Sequence, residues 1–288
     1  MKNFINRTVF GILFVVIMVG GIVWRPDTML LLFAIITGMT IWEYTGLVNG
    51  KGSVHVNRFI SCVAGVYFFF AVAAIKLEIV EGFIVFVPYT ITIIYLLVSE
   101  LYLKHNNPIN NWAYTMFGQM YIALPFSLIN MLAFQQSADG QVSYNWLYPL
   151  SIFIFLWAND TGAYCVGSML GKHKLFPRIS PGKSWEGSIG GGILVLIIAG
   201  LTGWYVNSTA MLSSQLYLSV PAWIGLGLTV VIFGTWGDLI ESLFKRTLGI
   251  KDSGNILPGH GGMLDRFDSS LLAIPAAVVY LYTLAMMV

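Results

Sequence analysis

PAWIGLGLTVVIFGTWGDLIESLFKRTLGIKDSGNILPGHGGMLDRFD, residues 221–268, runs from a long apolar segment straight into the most highly charged part of the chain. Pro221 to Leu243 is long enough to cross a hydrocarbon layer of about 30 Å at ~1.5 Å per residue. A backbone in lipid has no water to satisfy its polar groups, so this segment is expected to be a helix. On it Gly234, Asp238, Glu241, Ser242, Lys245 and Arg246 recur at spacings of three and four, which puts them on one polar face. A charge deep in a bilayer costs about 2.5 to 3.5 kcal/mol even on the lenient insertion scale, so that face is not turned to lipid. It either closes the helix end with an ion pair, Asp238 or Glu241 with Lys245, or it lines a functional cavity.

The rest of the chain has the same character. Hydrophobic residues make up 57% and charged residues 10%, against about 25% charge in a soluble domain, and mean hydropathy is +0.77. The expected fold is an all-α polytopic membrane protein with nine spans: Thr8 to Trp24, Met29 to Val48, Phe59 to Ile75, Phe83 to Leu103, Ala113 to Phe134, Trp146 to Leu170, Ser188 to Val206, Pro221 to Leu243 and Ser270 to Val288. Residues 1–135, with five spans, are read as a scaffold and lipid-facing part. Residues 146–288, with four spans, are read as the part that carries the catalytic loops. Lys2 and Arg7 precede an apolar run as in a secretory signal, but no small-residue cleavage site follows, so the run is read as the first span. Cys62 and Cys165 lie far apart in apolar segments and imply no disulfide framework.

Cation placement sets the expected orientation. With the N-terminus cytoplasmic, Lys2, Arg7, Lys51, Arg58, Lys104, Lys172, Lys174, Arg178, Lys183, Lys245, Arg246, Lys251 and Arg266 all fall inside, and only Arg25 and Lys76 fall outside. The C-terminus is then on the outer side. Counted from the outer ends of their helices, Asp160 lies about 20 Å and Asp238 about 25 Å in, and Glu43 and Glu100 lie at similar depths. A polar cavity open to the cytoplasm accounts for acids confined to that half.

Beyond the eighth span, Pro258, Gly259, His260, Gly261 and Gly262 form a turn whose glycines let backbone N–H groups approach an anion, for which a phosphate is the natural guest. His260 either contacts such a ligand or hydrogen-bonds a loop carbonyl. Asp265 and Asp268 are three residues apart where the last span begins; they are a pair of metal ligands on one helical turn, or a helix N-cap with a neighbouring salt bridge to Arg266. Hard carboxylate oxygens without clustered Cys or His suit Mg²⁺ rather than zinc. The loop GKHKLFPRISPGKSWEG, residues 171–187, brings Lys172, Lys174, Arg178 and Lys183 to the side of Asn159, Asp160 and Tyr164. Its cations are a phosphate funnel or simply the topogenic signal. Gly182-Lys183-Ser184 imitates the end of a Walker A loop, but Pro177 holds the position of the first glycine and no strand is expected before it.

Ser242, Lys245, Arg246, Lys251, Asp252, Pro258 to Gly262, Asp265, Arg266 and Asp268 together resemble the signature of the phosphatidate cytidylyltransferases, with thirteen specified positions over twenty-seven residues. NDTGAY at residues 159–164 and ISPGKSWEG at residues 179–187 are similar to the same family, with Gly182 where a lysine is frequent and Ser184 where threonine is. The resemblance covers the C-terminal half.

It implies transfer of CMP from CTP to phosphatidate, giving CDP-diacylglycerol and pyrophosphate. The lipid phosphate is already ionised near neutral pH, so positioning and charge neutralisation carry the reaction. The implied Mg²⁺ ligands are Asp265, Asp238 and Asp268, with room for a second cation such as K⁺. Lys245, Arg246, Lys251 and Arg266 neutralise phosphates, Lys172 and Lys183 guide the triphosphate, and Glu241 orients a cation. Asn159, Asp160, Tyr164, Glu186, Ser242, Asp252, Gly259, His260, Gly261 and Gly262 complete the substrate site. The implied partners are CTP, phosphatidate and membrane lipid, with no nucleic acid, in a homodimer of the cell's inner (plasma) membrane whose site faces the cytoplasm. A CTP-dependent lipid kinase or another lipid cytidylyltransferase of the same superfamily shares the nucleotide site, and an ion-coupled transporter is the reading from another class.

Overall fold

The computed structural model describes residues 2–51, 54–136, 140–209, 218–254 and 261–287, and over them the chain is an all-α polytopic membrane protein. The helices are α1 Lys2–Val23, α2 Pro26–Lys51, α3 Arg58–Lys76, α4 Val87–Leu103, α5 Pro108–Gly118, α6 Leu124–Ala133, α7 Leu147–Leu170, α8 Trp185–Ser208, α9 Val220–Thr247, α10 Leu264–Phe267 and α11 Ser270–Met287. A 3₁₀ turn, Phe83–Phe86, leads into α4, and a π-helical turn, Gln119–Ala123, joins α5 to α6. Four short strands, β1 Phe134–Gln136, β2 Val142–Tyr144, β3 Lys174–Phe176 and β4 Ser180–Ser184, form two two-stranded ribbons.

Every expected span falls on helix. Among the described residues seven segments are long and apolar enough to cross a membrane: Pro26–Lys51, Arg58–Lys76, Phe83–Leu103, Pro108–Ala133, Trp185–Ser208, Val220–Thr247 and Leu264–Met286. The count of nine is reached only by adding two weaker segments. One is the shorter apolar part of α1, Thr8–Val23; the other is α7, whose C-terminal half carries Asn159, Asp160 and Thr161.

The chain divides into two compact units. The first is Met1–Phe134 with Phe244–Phe267, so a segment from late in the sequence is built into the N-terminal helices. Here α2 packs against α1, α3 and α10. Phe126 meets Phe267 of α10 edge-on with ring centres 5.5 Å apart, and Phe14 meets the same ring at 5.8 Å. At the other end of the inserted segment Phe244 stacks on Tyr44 at 5.5 Å, and the Tyr44 hydroxyl donates to the Tyr114 carbonyl at 2.9 Å. Asn57 caps α3 and Asn107 caps α5, each accepting from a backbone N–H three residues on. Cys62 and Cys165 are both free thiols, and Cys62 Sγ donates to Gly38 O at 3.3 Å across α3 and α2.

The second unit is Gln135–Leu243 with Asp268–Val288. Its central contact is α7 on α8, a seam that only small residues permit. A Cβ on Gly191 would lie 2.5 Å from the Asn159 carbonyl oxygen, and one on Gly162 would lie 2.9 Å from the Gly191 Cα. Gly167 and Gly187 meet in the same way. Close backbone approach is the purpose of small-residue pairs between membrane helices. In this chain those pairs serve packing within one protomer. Trp223 of α9, fully buried, stacks on Tyr148 at 5.5 Å, and Tyr280 of α11 donates to the Ala222 carbonyl at 3.0 Å.

Two local expectations are corrected. Residues 171–187 are not a plain polar connection: β3 and β4 make an antiparallel hairpin in which Lys174 faces Ser184 and Phe176 faces Ser180. A strand therefore does precede Gly182, but it belongs to a hairpin, which is not the strand–loop–helix unit of a P-loop. The second correction is at the start of the last span. One continuous helix from Asp265 is not formed; α10 ends at Phe267, Asp268 and Ser269 form a turn, and α11 starts at Ser270.

Candidate functional site

In the first unit the site is organised on Asp265. Its Oδ1 accepts from Lys245 Nζ at 2.6 Å, and its Oδ2 accepts from the backbone N–H groups of Ser253 and Gly262, each at 2.8 Å. The side chains of Lys245 and Asp265 are only 12% and 9% exposed, which makes this a buried, charge-assisted pair. Lys245 thus has an acidic partner twenty residues on, in addition to the two acids of its own helix that the sequence offered. Gly262 spends its N–H on a carboxylate of its own chain. Gly261 adopts φ +82°, a conformation glycine takes without strain.

Behind this cluster stands a residue that the sequence reading placed by depth but gave no role. Glu43 of α2 is buried, 8% exposed, and its carboxylate accepts from Ser253 Oγ at 2.5 Å, Met263 N at 2.9 Å and Leu264 N at 3.0 Å. One carboxylate therefore pins residues on both sides of the segment 255–260. A Cβ on Gly262 would overlap the same carboxylate, which explains why glycine is needed there. The Ser253 hydroxyl also accepts from Asp265 N at 3.3 Å, linking Glu43 to Asp265 through one side chain. The only sequence signal for Glu43 was a carboxylate within an apolar span.

The remaining predicted residues of this unit lie around the pair. Arg246 Nη1 donates to the Ile250 carbonyl at 3.3 Å, closing the turn after α9. Lys251, Asp252 and Arg266 are exposed. Pro258, Gly259 and His260 lie outside the described residues.

The second unit holds a cavity of about 440 Å³ lined by Asn159, Asp160, Tyr164, Lys183, Ser184 and Thr235, with Gly167 and Gly187 at the α7–α8 seam. Its volume is in the ~300–1,000 Å³ range of small-molecule sites. Lys183 of β4 forms an ion pair with Asp238 of α9, and Ser242 Oγ donates to Asp238 Oδ1 at 3.1 Å. Asp268 interacts electrostatically with Asp238, Asp160 and Lys183. Glu241 is fully buried on α9. Glu186, in the first turn of α8, accepts from the N–H groups of Lys172 and His173, each at 3.2 Å, and contacts His173 Nδ1 at 2.5 Å. It fixes the hairpin that carries Lys183, while the Lys172 side chain stays exposed.

Two observations bear on a cation. Asn159 is 7% exposed, lines the cavity, and has an Oδ1 with no hydrogen-bond partner among the described residues. A buried amide oxygen left in that state calls for a donor or a cation. Among the described residues Asp160 and Asp238 also bear on Asp268 beside Lys183, and hard carboxylate oxygens of this kind fit a divalent ion such as Mg²⁺. No group of three Asp, Glu, His or Cys side chains among the described residues is preassembled as a ligand set. The donor set fits by its chemistry and charge.

The sequence matches the cytidylyltransferase family over residues 5–284. It is 48% identical over 130 residues to the phosphatidate cytidylyltransferase of Staphylococcus aureus (strain COL), a match covering 44% of this chain and 46% of that protein. The phosphatidate cytidylyltransferase of Staphylococcus haemolyticus is also 48% identical over 130 residues, with the same coverage. That of Haemophilus influenzae is 46% identical over 126 residues, covering 44% of this chain and 42% of its own. The matched region spans less than half the length of each of these curated relatives.

Proposed function

The chain belongs to the cytidylyltransferase family, and on that premise we propose that it is a nucleotidyltransferase that moves CMP from CTP to phosphatidate, giving CDP-diacylglycerol and pyrophosphate. The observation that carries the reading is the second unit's cavity of about 440 Å³, which Asn159, Asp160 and Lys183 line and whose Lys183 is paired with Asp238. The names of the three relatives support the choice of lipid acceptor.

In this reading an ionised phosphate oxygen of phosphatidate attacks the α-phosphorus of CTP. The new bond is that P–O linkage, the bond to the β-phosphate oxygen breaks, and pyrophosphate leaves. A phosphate monoester loses its second proton with a pKa near 6, so the protein has no proton to remove from the nucleophile. Its task is to place two anions together and neutralise them. Lys183 meets the triphosphate and Lys172 guides it, while Asn159, Asp160 and Tyr164 line the pocket and Glu186 holds the hairpin that carries Lys183. Lys245, Arg246, Lys251 and Arg266 neutralise phosphate from the first unit, and Asp252, Gly259, His260, Gly261 and Gly262 contact it. Asp238 and Asp268 in the second unit and Asp265 in the first are the proposed Mg²⁺ ligands, with a second cation such as K⁺ also accommodated. Mg²⁺ bound there neutralises charge on the transferring group.

The cation bias supports a site facing the cytoplasm in an inner-membrane protein, with residues 1–135 as scaffold. The homodimer is proposed on the family resemblance alone. Purified protein should release pyrophosphate only when CTP and phosphatidate are both present, should stop on chelation with EDTA and should resume when Mg²⁺ is restored. Release of CDP in place of pyrophosphate would identify a kinase, and activity that persists in EDTA would remove the metal assignment.

A further inference from the structure

The first unit contains a second concavity, unlike the cavity of the second unit in having an almost wholly apolar lining. It measures about 210 Å³ and is lined by Leu13 and Phe14 of α1, Ile35 and Met39 of α2, and Met263 and Phe267 from the late segment. We propose that this groove holds one acyl chain of the lipid substrate, an inference that rests on the cytidylyl-transfer reading above. Any apolar furrow on a membrane protein is wetted by bulk lipid; three features give this one a specific occupant.

Its floor belongs to the reaction segment. Met263 and Phe267 flank Asp265 and Arg266, and the Met263 N–H is held by Glu43 at 2.9 Å. A chain lying there is therefore continuous with Asp265 and Arg266, beside which the transfer reading puts the phosphate headgroup. Its polar end is close: Met39 is one helical turn, about 6 Å, from Glu43 along α2. Its outer side is open to lipid, since Leu13 is 47% and Ile35 49% exposed, so a chain enters sideways without leaving hydrocarbon. The groove runs from residue 10 to residue 18 of α1, about 12 Å at ~1.5 Å per residue. That dimension suits the proximal part of a single chain, and the volume is below the ~300 Å³ of a site for a whole drug-sized ligand.

Leu13→Trp and Ile35→Trp fill the groove from its lipid side, where added bulk is tolerated. Each is expected to lower kcat/KM for dioleoyl-phosphatidate by at least about 10-fold relative to dibutanoyl-phosphatidate, whose chains are too short to run along the groove, because several methylenes of the long chain lose their burial. Ile193→Trp, on the exposed face of α8, should leave that ratio unchanged. A ratio in both groove variants equal to that of Ile193→Trp would overturn the proposal. A second measurement needs neither variants nor turnover: a phosphatidate with a diazirine in its acyl chain should label residues 10–18 and 32–39 of the unaltered protein. Unlabelled phosphatidate should compete and phosphatidylcholine should not; equal competition by both would show bulk lipid only and overturn the groove. Groove labelling with this pattern in a protein that makes no lipid product from either phosphatidate would refute the transfer reading while keeping the site.

Discussion

Asp265→Asn lowers lipid-product formation by at least about 10³-fold at saturating CTP while the protein remains extractable and monodisperse in detergent. The reason lies in the donors around the side chain. Lys245 Nζ points at Oδ1, and the N–H groups of Ser253 and Gly262 point at Oδ2. An asparagine amide has one acceptor and one donor end, so either orientation sets an NH₂ against at least one of these donors. The variant also removes the negative charge that balances Lys245 and is proposed to face the cation. Folding should survive because the bonds from Glu43 to Ser253, Met263 and Leu264 are untouched. Turnover within about tenfold of the unaltered protein would show that Asp265 is not part of the reaction centre.

Substitution of Glu43 tests the support of that centre. Glu43→Ala leaves two buried backbone N–H groups and one hydroxyl without their acceptor, and hydrogen bonds to a charged group contribute roughly 1.5–3 kcal/mol each. The variant should lose at least about 100-fold in turnover and unfold at a lower temperature in detergent. Glu43→Gln keeps the shape and one acceptor oxygen, so it should retain more of both. If alanine leaves turnover and thermal unfolding unchanged, the polar turn is held by something other than Glu43.

The parts of this protein that could be read from its sequence are those fixed by the lipid environment or by short spacing. Apolar length alone placed helix at every expected span, because hydrocarbon forces the backbone to satisfy itself locally. The polar face of α9 followed from its period, Asp160 and Asp238 were singled out as charges within apolar spans, and Lys183 as a cation of the loop 171–187. What stayed hidden was pairing. Glu43 and Met263 are 220 residues apart, and no local pattern connects them. Lys245 bonds Asp265 across an intervening loop, a partner that no local spacing points to. The hairpin β3–β4 escaped notice because Ser180–Ser184 contains Pro181 and Gly182, poor strand formers held in place by cross-strand bonds and by Glu186 beneath them. The short helix α10 stayed hidden because four residues, two of them charged, carry no period, although the last span was placed from Ser270, where α11 begins.

The functional reading rests on which phosphorus of CTP is transferred to lipid. Purified protein with phosphatidate and CTP labelled at either the α- or the γ-phosphate separates the possibilities in one extraction. The predicted result is α-label in the lipid phase and γ-label in aqueous pyrophosphate, both dependent on phosphatidate. Recovery of the γ-label in lipid, or of no phosphatidate-dependent label there, would contradict it.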